Sequence, residues 1–167
     1  EYAIQMNQKG IYFPVWGTCL GFEWISTYFA TSPYVLSKLD ADNIALPLRF
    51  TNESPLTSLY DSFSHELITI LANSSSTMNN HGWGVTTENY QKYGLSEQFY
   101  LISVSYDRNQ QEFVSTMQHR KYPIYGVQWH PEKNMFEWGV NSKGEFGEVT
   151  PHSLEAVFVG QWLANFF

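Results

Sequence analysis

Phe13-Pro14-Val15-Trp16-Gly17-Thr18-Cys19-Leu20-Gly21-Phe22-Glu23 decides how this chain is read. The apolar, aromatic run Ile11 to Trp16 predicts a buried strand, with Pro14 inside it as a residue that cannot donate to a ladder. Gly17 to Gly21 predicts a tight turn. Phe22 to Ala30 predicts a helix, with Trp24, Ile25, Tyr28 and Phe29 at helical spacing. A strand, a sharp Gly-x-Cys-x-Gly turn and a helix make the geometry of a nucleophile elbow, with cysteine in place of serine. The glycines suit a sharp turn with closely approaching backbones. Strain at the central residue pushes its side chain out at the carboxyl end of the sheet. The helix N-terminus favours thiolate, and the backbone N–H of Leu20 is placed to meet an oxyanion. The other reading of Cys19 is a small apolar filler in a Gly-rich turn.

A cysteine nucleophile needs a base and a group that orients it. His130-Pro131-Glu132 supplies both at the end of a second apolar strand, Ile124 to Trp129. Parallel strands bring their carboxyl ends to one edge, so His130 and Cys19 can meet although 111 positions separate them (130 − 19). Glu132 can hold one imidazole tautomer by accepting its N–H. A single His at a strand end is ordinarily a satisfied surface residue. Two strand ends of complementary chemistry point to catalysis.

The rest of the chain fits an α/β sheet with helices on both faces. Glu1 to Gln8 predicts the end of a helix closed by Gly10. Ile44 to Phe50 predicts a strand with Pro47 at an edge or bend, and Pro55 to Asn73 a helix along Leu59, Phe63, Leu67, Ile70 and Leu71. Ser74 to Thr77 reads as a polar loop. Phe99 to Tyr106 and Glu112 to Gln118 predict a hairpin turning at Asp107-Arg108-Asn109. Asn141 to Gly147 reads as a Gly-rich loop. A last helix starts near Thr150-Pro151 as N-cap and N1, with Leu154, Phe158, Trp162 and Phe166 on one face.

Composition limits the function classes. The chain has 167 residues, the size of one domain. Its 17% aromatic content excludes a disordered chain. Nine Lys and Arg against sixteen Asp and Glu give a net charge of −7, which argues against nucleic acid or an anionic membrane as the main partner. No apolar run approaches the roughly 20 residues of a membrane span. The single Cys19 forms no internal disulfide, and the five histidines lack metal-ligand spacing around it, so neither a metal nor another cofactor is expected.

The eleven residues quoted first, taken with Tyr122-Pro123-Ile124-Tyr125-Gly126-Val127-Gln128-Trp129-His130-Pro131-Glu132-Lys133, resemble γ-glutamyl hydrolase of the class I glutamine amidotransferase-like superfamily. Gly-x-Cys-x-Gly with His-Pro-Glu marks the superfamily. Phe-Pro-Val-Trp-Gly-Thr, the Phe-Glu after the elbow and Gly-Val-Gln-Trp-His-Pro-Glu-Lys with Phe136-Glu137-Trp138 narrow it to the hydrolase. The resemblance implies a three-layer α-β-α sandwich of flavodoxin-like type. It implies that Cys19 attacks a γ-glutamyl amide carbonyl, most readily of folylpoly-γ-glutamates, and forms an acyl-enzyme. His130 is then the base and later the acid, with Glu132 as third member. Glu23 resembles a substrate-contacting glutamate that reads the α-amino group. Asn80-His81-Gly82-Trp83 resembles a stretch holding a second active-site histidine, His81, and a pocket residue, Trp83. From the residues alone, His81 in a polar loop reads as solvated.

His65, His119 and His152 carry no chemical signal, and Glu145 and Glu148 read as solvated. Asn52-Glu53-Ser54 and Asn73-Ser74-Ser75 are N-x-[ST] sequons, with Asn73 the better glycosylation candidate because Pro55 follows the first. The resemblance implies a lysosomal, vacuolar or secreted protein, often a homodimer. In the family the first strands and helices of the sheet and a second oxyanion N–H come from an N-terminal part with no counterpart here. The expectation is that residues 1–167 are the C-terminal portion of one catalytic domain, that the chain, beginning at Glu1, is a processed or truncated product, and that an N-terminal fragment completes it. Two other readings stay open, a glutaminase domain of an amidotransferase and a non-catalytic relative serving as an interaction protein.

Overall fold

The computed structural model describes residues 1–140 and 142–167. In chain order the elements are α1 (Tyr2–Gln8), β1 (Val15–Thr18), α2 (Leu20–Phe29), β2 (Ser37–Leu46), β3 (Arg49–Phe50), α3 (Ser58–Asp61), α4 (His65–Asn73), β4 (Thr77–Gly84), α5 (Thr87–Lys92), α6 (Leu95–Gln98), β5 (Phe99–Tyr106), β6 (Glu112–His119), β7 (Ile124–Val127), α7 (Lys133–Phe136) and α8 (Leu154–Phe166). The main sheet runs β1-β7-β6-β5-β3, and β2 pairs with β4 in a second, two-stranded sheet. β1 and β7 are parallel, from Val15 opposite Ile124 to Thr18 opposite Val127. Every other pair is antiparallel. The parallel pair sets the site, because both strands deliver their carboxyl ends, Cys19 and His130, to the same edge.

The sheet is covered on both faces. β7 shows how the period of two divides its side chains. Tyr125 and Val127 join Leu67 and Leu71 of α4 and Val159 and Leu163 of α8. Ile124 joins Phe22 of α2, Tyr90 of α5 and Leu95 of α6. Burying each such Leu or Phe contributes about 1.5–3 kcal/mol, so both helical layers are held by apolar area. The α-β-α layering expected from the sequence is present, and so is the β5–β6 hairpin.

Several boundaries differ. The strand expected over Ile11 to Trp16 begins only at Val15, and Ile11, Tyr12 and Phe13 are exposed. Asn7 holds that segment instead, since its Nδ2 donates to Phe13 O at 2.7 Å and its Oδ1 accepts from Phe13 N at 3.1 Å. The turn expected over Gly17 to Gly21 shrinks to Cys19, because Gly17 and Thr18 are in β1 and the helix starts at Leu20. Ile44 to Phe50 is two strands in two sheets, parted at Pro47, which has no N–H for a ladder. The helix expected over Pro55 to Asn73 breaks into α3 and α4, with the Ser64 side chain capping the second by accepting from Leu67 N. The polar loop at Ser74 to Thr77 ends in β4.

The last helix is capped by Ser153, not Thr150. Its buried stripe is Ala156, Val159, Gly160 and Leu163, while Leu154 and Phe158 of the expected face are exposed and only Trp162 and Phe166 pack against the core. Asn141, the start of the expected Gly-rich loop, lies outside the described residues. Val140 and Phe146 form an isolated bridge in that region.

Candidate active site

Cys19 sits at the point where β1 becomes α2. Its φ of 50° and ψ of −105° are strained for a residue with a Cβ. Its N–H donates to Val127 O at 2.9 Å, which ties the bend to β7, and Cys19 O accepts from Glu23 N at 3.0 Å as the first helical bond. Gly17 makes this bend feasible. A Cβ there would lie 2.7 Å from the Gly21 carbonyl and 2.6 Å from Ile25 Cδ1. Gly21 is different from the expectation, since a Cβ on it would meet nothing within 4 Å. The first-turn N–H groups of α2, that of Leu20 among them, have no acceptor within the helix.

His130 arrives from β7. Its backbone N–H donates to Met78 O of β4 at 2.8 Å, and buried Trp129 donates from Nε1 to Thr116 Oγ1 at 3.3 Å. The imidazole Nδ1 lies 2.7 Å from Glu132 Oε1, and Cys19 is close enough to the ring to help raise its pKa. Burial alone would lower the imidazole pKa, but hydrogen bonds to Cys19 and Glu132 outweigh it and hold it up at about 9. Burial would raise the Glu132 pKa, and the His130 contact reverses that and keeps it below the usual carboxylate value. The thiol, imidazole and carboxylate singled out in the sequence are therefore brought to one edge of the sheet. The segment between them is packed tightly: a Cβ on Gly160 of α8 would fall 2.5 Å from Pro131 O.

Glu23 lies one turn along α2 from Cys19. It accepts from Gln128 Nε2 at 3.1 Å, and burial raises its pKa in spite of that bond. Glu23 lines an open groove of about 390 Å³ with Leu20, Trp24, Thr27, Tyr28 and Leu36. His81 is the main departure from the residue-level reading. It lies in β4, not in a loop, and is 5% exposed. Its Nδ1 is 2.8 Å from Trp83 O and its Nε2 is 3.1 Å from Asn79 Oδ1. Both partners are oxygens that only accept, so a neutral ring donates to one of them at a time. Burial, with some repulsion from His130, lowers its pKa to about 4. Trp83 is half-exposed beside it, with Lys38 Nζ 6.0 Å from the ring centroid.

Glu148 corrects another expectation. Its Oε2 accepts from buried Lys133 Nζ at 2.7 Å and its Oε1 from Asn80 Nδ2 at 2.8 Å. His119, read as featureless, is buried among Phe29, Phe99 and Tyr122, and its Nδ1 accepts from the N–H groups of Lys121 and Tyr122 at 3.0 Å each. His152 stacks on Trp138 with ring centroids 3.5 Å apart. Asn52 and Asn73 are exposed, at a turn and at the end of α4, and join no contact to Cys19 or His130. Gln128 was not singled out from the sequence. The available signal was its spacing, two residues before His130, which returns to the same side of an extended chain. Among the described residues no helix is long and apolar enough to cross a membrane.

The site thus sets a strained cysteine between a strand and a helix, and a carboxylate-held histidine after the neighbouring parallel strand. Residues 1–142 match the family model "Glutamine amidotransferase class-I", and the chain belongs to that family. It is 36% identical over 168 residues to gamma-glutamyl hydrolase B of Dictyostelium discoideum, covering 100% of this chain and 47% of the relative. Gamma-glutamyl hydrolase 1 of Arabidopsis thaliana is 37% identical over 166 residues, covering 98% and 46%, and gamma-glutamyl hydrolase of Homo sapiens is 38% identical over 165, covering 99% and 50%. The resemblance read from the two motifs is borne out, and the chain spans about half the length of these curated relatives.

Proposed function

We propose that this chain carries the nucleophile, base and acidic partner of a hydrolase of γ-glutamyl amide bonds. The observation that carries the reading is the Cys19–His130–Glu132 line at the end of two parallel strands. The Cys19 thiol passes its proton to His130, the sulfur attacks the γ-carbonyl carbon, and the carbonyl oxygen takes up the electron pair against the Leu20 N–H. The tetrahedral adduct collapses, the C–N bond breaks, and His130 gives its proton to the leaving amine. Water then adds to the thioester as His130 accepts its proton, and the C–S bond breaks to release a γ-carboxylate while His130 returns the proton to the sulfur and restores the thiol. Glu132 steadies the imidazolium at each stage.

Glu23 is assigned the α-ammonium group of the glutamyl residue, because a carboxylate one turn from the nucleophile is within a few ångströms of the acyl chain's far end. His81 and Trp83 are assigned to the remainder of a folylpoly-γ-glutamate, since half-exposed Trp83 offers an aromatic face beside the His81 imidazole. The names of the relatives support the bond class. An N-terminal segment is assigned to the edge of β1 that pairs with no strand among the described residues, next to exposed Trp24 and Tyr28, so that residues 1–167 would form the C-terminal portion of one domain. A lysosomal, vacuolar or secreted location, glycosylation at Asn73 and a homodimer belong to the same proposal.

Family membership favours one second reading, a glutaminase domain that passes ammonia to a synthetase. The test is glutamate release by the purified full-length protein from a poly-γ-glutamyl peptide and from free glutamine. Release from the peptide alone supports the hydrolase. Release from glutamine alone supports the glutaminase, and release from neither leaves the non-catalytic relative.

A further inference from the structure

The Glu23–Gln128 contact has an uncommon composition. Glu23 is only half-buried, yet the one side-chain donor it has among the described residues, Gln128, is 0% exposed. Gln128 cannot move away. Its backbone N–H is fixed to Ser115 O at 2.9 Å, and a Cβ on Gly84 would come within 3.1 Å of its Oε1. The same Oε1 has no hydrogen-bond partner among the described residues. A buried amide acceptor left unpaired costs stability, so the side chain is held there in spite of its own hydrogen-bonding balance. What it gains is one directed N–H on Glu23. A neutral donor aims a carboxylate without cancelling its charge, as Lys or Arg would.

We propose that Gln128 is a positioning residue that holds the Glu23 carboxylate toward the groove above Cys19 and so sets selectivity for acyl groups bearing an α-ammonium. This rests on the hydrolase reading and extends it to a residue outside the catalytic line. The cationic end of the substrate then meets a pre-aimed carboxylate with its charge intact. An acyl group of equal length without the amine gains nothing from that arrangement.

The test compares the full-length protein with its Gln128→Met variant, which keeps side-chain length and removes the donor. The two substrates are a γ-glutamyl anilide and the glutaryl anilide that lacks the α-amino group. Loss of a hydrogen bond that orients a charged group corresponds to about a tenfold rise in KM for the γ-glutamyl substrate, with kcat changed less than about threefold. The glutaryl KM should shift less than about threefold, so the preference between the two narrows. In a Glu23→Gln background Gln128→Met should add no further loss. Equal losses on both substrates, or a preserved preference, would overturn the inference. Gln128→Asn, one methylene shorter, should repeat the selective loss, and failure of both variants to give a cooperative melt would make Gln128 structural and overturn it as well. Wild-type protein inert on both substrates would instead overturn the hydrolase reading beneath it.

Discussion

In the proposed mechanism Cys19 and His130 divide one task that neither residue type performs alone. The imidazole, held at about 9, keeps its proton through neutral pH because the sulfur and Glu132 both favour the charged ring. Glu132→Gln removes one of those supports. The His130 pKa should fall toward its ordinary 6.5, read by NMR of the imidazole protons, and kcat should drop about tenfold or more. The sign for stability follows from the raised value. The contribution of His130 is whole below about 6.5 and fades as pH rises through about 9. At this scale the sequence was most legible, since Cys19, His130 and Glu132 stood in motifs whose spacing implied their chemistry, while Glu23 was legible by resemblance. His81 was legible only by resemblance. Its neighbours Asn79, Asn80 and Gly82 look like a loop, and nothing local reveals that β2 pairs with them. Gln128 was missed because an amide in a strand has no chemistry until its partner on α2 is known.

The elements place those residues through two close approaches that only glycine allows. Gly17→Ala would drive a methyl into the Gly21 carbonyl across the elbow. The expected loss is about 3 kcal/mol or more in chemical denaturation, together with loss of activity, because the bend at Cys19 must open. Gly160→Ala pushes α8 off Pro131 O. Its signature is different: about 1–3 kcal/mol of destabilisation and a lower kcat at unchanged KM, as the His130 segment shifts. A Gly21→Ala control, with open space at its Cβ, should change stability by less than about 1 kcal/mol. Element types were readable from periodicity, while several boundaries were not. Pro47 and the break before Ser64 interrupt apolar runs that periodicity reads as continuous, and α8 turns Gly160 toward Pro131 O, where a Cβ would lie 2.5 Å away.

At the scale of the whole molecule, two buried neutral histidines make the fold sensitive to acid. Burial lowers both His81 and His119 to about 4. Between that value and the ordinary 6.5 the unfolded chain binds protons that the folded chain refuses. Stability is therefore whole above about 6.5 and falls as pH drops toward 4, by up to roughly 3 kcal/mol per histidine. Urea midpoints from pH 7 to pH 4 should decline accordingly, and His119→Gln should flatten the decline. An unchanged slope in that variant would contradict the assignment. The layered α/β architecture was legible as a whole because strand and helix periods alternate along the chain. The pairing of β2 with β4 in a separate sheet was not, since it depends on contacts between residues about forty positions apart. The most direct measurement of the central claim is the intact mass of full-length protein quenched in acid during turnover of a γ-glutamyl substrate. The account predicts a γ-glutamyl adduct mapped to Cys19 and its disappearance in Cys19→Ala, whereas undiminished turnover by that variant, or an adduct on another residue, would contradict it.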